Sequence, residues 1–296
     1  FDHISIKNIT LSLHITGYFS IMNNENFDSQ NAPASSVNKQ NPMDNSVFLA
    51  EPRAVDAGEG INWISQAWAM VKEKLGMWVL INIIFFAFIL VLSMIPLVNF
   101  FVTFVSPILI GGIIAICEKQ RTTGEVDIGT LFAGFQTKFG ALFAVGAINF
   151  AVTLVGGFIA TMIGGTALMA VLLEAGQGGQ ISPEAIFALG GSFFYIAIIM
   201  AITGIVAAAM TWFAPALIMN HNFKVGAAIS ASLKAVSKNI LPGILFFIVI
   251  TIILFVSAIP FGLGLLITMP IMCVCYYTSY RNLFFAQNDD KQKLIN

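Results

Sequence analysis

The chain has 296 residues, of which 57% are hydrophobic and only 10% are charged, and its mean hydropathy is +0.86. Soluble globular domains carry about 25% charged residues, so this composition excludes an ordinary soluble fold and predicts an integral membrane protein. The formal net charge of −1 gives no basis for a nucleic-acid partner.

The amino-terminal 54 residues are predicted to be a disordered segment. Residues 22–46 are rich in Asn, Ser, Gln and Pro and show almost no hydrophobic periodicity, so they cannot bury enough apolar surface to become ordered. We expect residues 1–21 not to be native. Met22 opens a more ordinary amino terminus, and the stretch before it lacks the apolar core of a signal peptide.

Six apolar runs predict a membrane domain over residues 55–285. A polar cytoplasmic tail is predicted to follow it over residues 286–296. A membrane helix needs roughly 17 to 25 residues. The runs are Met77–Ile95, Leu97–Cys117, a third within Ala141–Leu173, a fourth within Ile186–Phe213, Leu241–Ile259 and Phe261–Tyr280.

The third run is unusually long. As a helix it would measure about 50 Å, more than the ~30 Å hydrocarbon core of a bilayer, so it either kinks at its glycine pairs or projects beyond the bilayer. Its small residues Gly157, Thr161 and Gly165 recur every four residues, and this pattern predicts a face for close contact with another helix.

The chain predicts three copies of one unit, an amphipathic helix followed by a helical hairpin. Apolar residues with the same spacing precede the first and fifth runs: Ile64, Trp68, Val71 and Leu75, and then Ile229, Leu233, Val236 and Ile240. A fainter middle copy begins with Phe132, Phe135 and Phe139. Each amphipathic helix either lies in the headgroup plane or extends the next span, and the sequence leaves both open.

Prolines occupy matching places in these copies. Pro96 and Pro260 separate the two runs of their hairpins and lie 164 residues apart. Pro107, Pro215 and Pro270 lie inside the second run of each hairpin, where a proline removes a backbone hydrogen bond and kinks the helix. The predicted fold is an all-α integral membrane protein with six transmembrane helices in three repeated units.

Basic residues predict the orientation. After Lys7, Lys and Arg occur before the first run, between the second and third, between the fourth and fifth, and after the sixth, while the other three connections contain none. Cytoplasmic loops carry the excess of Lys and Arg. We therefore expect a multi-pass protein of the bacterial inner membrane with both termini in the cytoplasm.

Few polar residues are candidates for chemistry. Asn82 and Asn149 are the most costly membrane-buried side chains to leave unpaired, so they are the first candidates for a polar contact. Glu118 and Arg121 share a loop with two further acids and are candidates for binding a lipid headgroup, while His221 is expected to be solvated. The sequence contains no catalytic set, cofactor motif or metal-ligand spacing, so it predicts neither enzyme activity nor a cofactor or metal.

Arg281 directly follows the sixth run and three tyrosines that form an aromatic belt at the membrane–water boundary. Two roles are open for it. As an anchor, it meets the negative end of the helix dipole and the free carbonyl groups. Alternatively, its planar guanidinium holds a phosphate or a carboxylate such as that of Glu118.

The stretch Tyr276–Phe284 resembles the end of a family of uncharacterised bacterial six-span inner-membrane proteins, in which a helix ends in Tyr-x-Ser-Tyr-Arg-Asp-Ile-Phe. The resemblance extends through Trp212–Leu217 and Leu131–Phe135 and covers roughly residues 53–285, with Asn282 in place of the usual Asp. The wider group is similar to the membrane domain attached to some glycerophosphodiester phosphodiesterases. That likeness implies a fold and no catalysis.

These features favour a non-enzymatic module that contacts membrane lipids or supports membrane assembly. Its expected partners are lipids and either another membrane protein or a second copy of the chain. The alternative is a transporter or channel for a small uncharged or amphipathic substrate, with a site near Asn82 and Asn149. A polar cavity beside discontinuous helices would favour the alternative, and a closed interior would favour the module.

Overall fold

Helices make up nearly all of the protein that the structure describes. A computed structural model describes residues 46–94, 99–176 and 181–286, without the side chains of residues 99 and 100. The predictions for residues 1–45, for Pro96 and for residues 287–296 lie outside this description.

The described helices follow one another in chain order with short connections. They are α1 (Glu59–Glu73), α2 (Leu75–Met94), α3 (Asn99–Thr123), a 3-10 helix (Ile128–Phe132), α4 (Ala133–Thr137), α5 (Phe139–Gly176), α6 (Pro183–Thr211), α7 (Ala214–His221), α8 (Val225–Lys238), α9 (Ile240–Ala258) and α10 (Leu265–Phe284). Two short strands, β1 (Val47–Phe48) and β2 (Phe285–Ala286), pair antiparallel.

Several helices are long and apolar enough to cross a membrane. Within the described residues there are five: Leu75–Met94, Phe101–Thr123, Phe139–Gly176, Pro183–His221 and Ile240–Ala258. They confirm the predicted class, an all-α multi-pass membrane protein. The last helix, α10, begins later than predicted. The run from Phe261 opens in a turn where Phe261 and Gly262 have φ angles of 53° and 77°.

Helix α5 is continuous over 38 residues. It passes both glycine pairs without interruption and measures about 57 Å at 1.5 Å per residue. Even a tilt of about 40° would leave it longer than the ~30 Å hydrocarbon core. Its length therefore favours projection beyond the bilayer.

A single non-helical residue separates each short helix from the long helix after it. Lys74, between α1 and α2, has φ −134° and ψ 43°, and Asn239, between α8 and α9, has φ −128° and ψ 42°. Lys138, between α4 and α5, has φ −133° and ψ 24°. Because all three residues lie outside the helical region, the short helices do not extend the spans that follow them.

Helix α1 packs its apolar stripe against α9 and α10. Trp63, Ala67 and Val71 are buried there, whereas Trp68 remains 40% exposed. Of the predicted stripe, Ile64 and Val71 are therefore buried and Trp68 is not, while Trp63 beside the stripe is buried.

Close contact between α5 and α6 involves different glycines from those predicted. A Cβ atom added at Gly156 or Gly164 would collide with a side chain of α6. One added at Gly157 or Gly165 would meet no described atom within 4 Å. The predicted contact face of Gly157, Thr161 and Gly165 is therefore wrong, since α6 lies against the neighbouring positions.

Two of the three prolines predicted to kink helices lie inside them. Pro107 is within α3 and Pro270 is within α10. Pro215 instead occupies the first turn of α7, where its missing N–H group is tolerated. Between the end of α6 at Thr211 and the start of α7, the helical hydrogen bonds are interrupted at residues 212–213, although both residues keep right-handed helical backbone angles.

The buried hydroxyl of Ser232 in α8 bridges this break. It accepts a hydrogen bond from Phe213 N at 3.1 Å and donates one to Ala209 O at 2.7 Å. In an unbroken helix these two backbone groups would bind each other, because each N–H bonds to the carbonyl four residues earlier. The serine thus satisfies both of them.

Residues 46–55, here called the amino-terminal strap, lie across the end of α10. Leu49 N donates to Phe284 O at 2.8 Å, and Arg53 N donates to Leu283 O at 3.0 Å. The last four carbonyls of a helix have no partner within it, so the strap satisfies groups that would otherwise be open. The sequence predicts disorder as far as residue 54, because local composition does not show partners on a distant helix.

Candidate functional site

The C-terminal box, Tyr276–Phe284, binds several helices through consecutive side chains. Tyr277 Oη donates to the Glu118 carboxylate at 2.6 Å and accepts from Arg121 Nε at 3.1 Å. Arg121 also forms an ion pair with Glu118, with Nη2 and Oε1 2.5 Å apart. The two candidate loop residues are therefore brought together at the end of α3, where each satisfies the other.

Two further residues of the box, Thr278 and Asn282, form hydrogen bonds with α1. Thr278 Oγ1 donates to Trp63 O at 2.9 Å, and Trp63 Nε1 donates to Asn282 Oδ1 at 3.0 Å. The other end of the same amide, Asn282 Nδ2, donates to the Glu59 carboxylate at 3.0 Å. An aspartate, usual at this position in the resembled family, could accept from the tryptophan but could not donate to the glutamate.

The box also reaches the break between α6 and α7. Trp212 Nε1 donates to Ser279 Oγ at 3.2 Å, and His221 Nε2 lies 2.6 Å from Tyr280 Oη. The His221 ring stacks on Phe48 of the strap, with ring centres 3.5 Å apart. The expectation that His221 is solvated is therefore wrong, because the strap and the box enclose it.

Arg281 lies between the strap and the end of α10. Its guanidinium lies 4.0 Å from the centre of the Phe285 ring, and its Nη2 donates to Ser46 Oγ at 2.9 Å. Among the described residues, the Glu118 side chain is hydrogen-bonded by Arg121 and Tyr277 and not by Arg281, so the Arg281–Glu118 pair, one of the two alternatives for this arginine, does not form.

The other two acids of the loop belong to a separate group. Glu125 and Asp127 lie 3.6 Å and 3.5 Å from Lys119 Nζ. Asp127 Oδ1 also accepts from Gly129 N at 3.0 Å. This backbone hydrogen bond, together with one from the Thr130 side-chain hydroxyl, holds the pKa of the Asp127 carboxyl below its ordinary value. Asp127 thus caps the 3-10 helix and does not contribute to a shared acidic site.

Asn82 is 3% exposed within α2. Its Nδ2 donates to Trp78 O at 3.0 Å, while its Oδ1 has no hydrogen-bond partner among the described residues. Asn82 borders an apolar cavity of about 240 Å³ formed with residues of α10, including Leu266 and Met269. The prediction that this side chain is costly to bury agrees with its half-satisfied amide.

Asn149 borders a different cavity of about 300 Å³ between α3, α5, α6, α7 and α10, here called the Asn149 cavity. Its lining is Val102, Thr103, Ser106, Pro107, Ile110, Asn149, Thr211, Pro215 and Tyr276. Asn149 Nδ2 donates to Thr211 Oγ1 at 3.3 Å. The expected single site near both asparagines is therefore not formed, since each borders its own cavity.

A longer groove of about 590 Å³ adjoins the Asn149 cavity and shares Val102 and Thr103 with it. This α5 groove is lined by Val102, Thr103, Phe150, Thr153, Leu154, Gly157, Phe158 and Thr161. Two residues of the predicted helix-contact face therefore line an open surface.

These arrangements suit the binding of uncharged groups. The residues lining the three cavities include no Asp, Glu, Lys, Arg or His. Within the described chain, no group of three or more His, Cys, Asp or Glu residues could hold a metal ion. No protein-family model, curated protein or solved structure matches the chain.

Proposed function

We propose that the chain is a non-enzymatic, six-span protein of the bacterial inner membrane that contacts lipids or supports membrane assembly. The observation that carries this proposal is the surface of α5 and α6. Large apolar side chains cover it, among them Phe158, 64% exposed, Phe187, 86% exposed, and Ile205, 68% exposed. Soluble monomers rarely expose contiguous apolar surface on this scale, whereas lipid tails cover it without cost.

The proposal includes α10 as the sixth span and three repeated units. In support, Lys74, Lys138 and Asn239 have similar backbone angles, and each lies between a short helix and a long one. Pro107 and Pro270 also lie inside the second helix of their hairpins. This recurrence is the one expected of a duplicated unit.

We also propose membership of the bacterial family that the C-terminal box resembles. The contacts of the box supply a reason for its spacing, since Tyr277, Thr278, Ser279, Tyr280 and Asn282 each bind another part of the fold. Such a box serves folding, and this supports a module without catalysis.

Lipid contact is tested through the basic end of α1. Lys72 and Lys74 are exposed there, and each basic residue near an anionic surface contributes about 1 kcal/mol. We expect anionic lipid to raise the melting temperature of protein reconstituted in nanodiscs, and Lys72→Gln with Lys74→Gln to reduce that rise. Glu73→Gln, which removes a neighbouring negative charge, should instead make the rise in melting temperature larger. A melting temperature independent of anionic lipid would contradict the proposal.

Orientation is tested by cysteine labelling in intact cells, after alanine replaces the three native cysteines. Gln177→Cys should react with an impermeant maleimide from outside, and Ser237→Cys, at an exposed position of α8, should react only after lysis. Both termini then lie in the cytoplasm. The reverse pattern would overturn the orientation, and labelling at both positions would overturn the number of spans.

A second candidate function is a transporter for an uncharged or amphipathic substrate. It is favoured by the helix break at residues 212–213, which lies beside Thr211 and Pro215 of the Asn149 cavity. Discontinuous helices next to a polar cavity form substrate sites in transporters. Proteoliposomes containing a fluorescent glycolipid with an uncharged sugar head, which crosses protein-free bilayers slowly, should then show faster loss of inner-leaflet signal to dithionite than protein-free vesicles, and equal rates would exclude transport of such an amphiphile.

A further inference from the structure

We propose that the Asn149 cavity and the α5 groove together bind one membrane amphiphile, with its uncharged hydroxyl-bearing head in the cavity and its chain in the groove. This inference rests on the proposed contact with lipids and makes it specific, because it assigns a site and a class of lipid. Val102 and Thr103 line both spaces, so the two lie side by side, and the proposal places one molecule across them.

Unused hydroxyl groups line the cavity. Among the described residues, the side-chain hydroxyls of Thr103, Ser106 and Tyr276 have no hydrogen-bond partner. Tyr276 is held in place by its ring, which stacks on Trp212 with centres 4.2 Å apart. Hydroxyls facing an apolar medium without partners are unfavourable, so a ligand that supplies donors and acceptors gains free energy by occupying this space.

The prolines of the cavity add backbone acceptors. Pro107 and Pro215 carry no N–H group, so the carbonyls of Thr103 and Thr211, four residues earlier, lack their usual helical partner. All four residues line the cavity. The Thr103 carbonyl oxygen packs against Gly146 of α5, so the Thr211 carbonyl is the backbone acceptor that the proposal offers to a hydroxyl of the head group.

The chemistry of the lining excludes a charged head. Its residues bear no charge, and burying a phosphate or ammonium group without a partner is far more costly than burying a hydroxyl. Two lipid classes share the required chemistry, diacylglycerols and long-chain polyprenols, since both join a neutral hydroxyl to an apolar chain.

The groove is suited to the chain. Phe150, Leu154 and Phe158 provide an apolar wall, and Gly157 leaves space beside them. A leucine at position 157 would fill the groove without meeting described atoms near its Cβ. Gly165, two turns further along α5, has the same open surroundings but does not line the groove. These two positions therefore form a matched pair.

The test is photo-crosslinking in nanodiscs with diazirine probes of three kinds: diacylglycerol, polyprenol and phosphatidylglycerol. We expect diacylglycerol or polyprenol, and not phosphatidylglycerol, to label α3 and α5 peptides that border the site. Gly157→Leu should lower this labelling about tenfold, while Gly165→Leu should leave it unchanged. Tyr276→Phe, which keeps the ring and removes the hydroxyl, should lower it about fivefold.

The labelled probe identifies the source, a glyceride or a prenol. Equal labelling by phosphatidylglycerol would overturn the uncharged head, and equal labelling of the two leucine variants would overturn the groove. If Gly157→Leu does not fold, the same comparison between Tyr276→Phe and the unmodified protein decides. If the probes do not label the site but anionic lipid still raises the melting temperature through Lys72 and Lys74, only this binding site is rejected. If the probes label the site but anionic lipid has no effect on the melting temperature, only the surface contact with lipid is rejected.

Discussion

The amide of Asn282 performs two tasks that a carboxylate at this position could not combine. It accepts from Trp63 and donates to Glu59, both in α1, and so fastens that helix to the end of α10. The residue is 3% exposed. The Glu59 carboxylate that the amide faces therefore gives position 282 a need for a donor, which an amide supplies and a carboxylate does not.

We expect Asn282→Asp to lower the free energy of unfolding by about 1–3 kcal/mol, because a donor is lost and two carboxylates become neighbours. Thermal unfolding in detergent measures this effect. Asn62→Asp is the control, since Asn62 Nδ2 also donates to Glu59 at 3.0 Å but lies on the exposed side of α1. Equal losses in the two variants would show that burial at position 282 is unimportant.

At the level of elements, the break between α6 and α7 combines two causes. Pro215 cannot donate to Thr211 O, which ends α6, and Ser232 then takes the place of one backbone hydrogen bond. The sequence shows the proline but not the serine, which reaches the break from another helix. For that reason a kink at the proline could be predicted, and the hydrogen bonds from Ser232 could not.

Ser232→Ala should lower the free energy of unfolding by about 1–3 kcal/mol, since Phe213 N and Ala209 O would both lose a buried partner. Ser237→Ala on the same helix is the control. That hydroxyl is exposed and donates only to Lys234 O, so its removal should have little effect. Chemical denaturation in mild detergent compares the two, and identical midpoints would contradict the bridging role.

The strap is a second element with a measurable response, in this case to pH. Lys234 Nζ lies 2.8 Å from Glu51 Oε1, and this pair holds the pKa of the Glu51 carboxyl below its ordinary value of 4.5. A lowered carboxyl pKa means that the attraction is complete above pH 4.5 and is lost as the pH falls through the lowered pKa.

Fluorescence anisotropy of a dye on Ala50→Cys should therefore decrease as the pH falls below 4.5 and through the lowered pKa of the Glu51 carboxyl, because the strap then loosens. Adding Glu51→Gln should remove most of this change and lower the anisotropy already at neutral pH. If the pH profile is the same with and without Glu51, another group loosens the strap.

For the whole molecule, hydropathy and charge are enough to predict the class, because long apolar helices follow from composition and period alone. The starts of the short helices were also visible in their amphipathic spacing. The central contacts were not, because Trp63, Ser232 and His221 join partners that are far away in the chain. The spacing of residue types indicates which residues share a face of a helix but not which face its neighbour covers. The spacing predicts Gly157 as the contact with α6, whereas in the structure Gly156 makes it.

A comparison of truncations tests the boundary of the folded unit. A variant that starts at residue 46 should keep the melting temperature of the full chain. One that starts at residue 56 should lose several degrees, because carbonyls at Leu283 and Phe284 lose Arg53 and Leu49 as partners. Equal melting temperatures would show that the strap contributes nothing to stability.

The strap also has a consequence for biosynthesis. Its residues leave the ribosome before any of the membrane helices, yet Arg53 binds Leu283 and Val47 pairs with Ala286. The earliest described part of the chain must therefore wait for the latest part before it can dock. A nascent protein whose translation stops before residue 283 therefore presents an undocked leading segment.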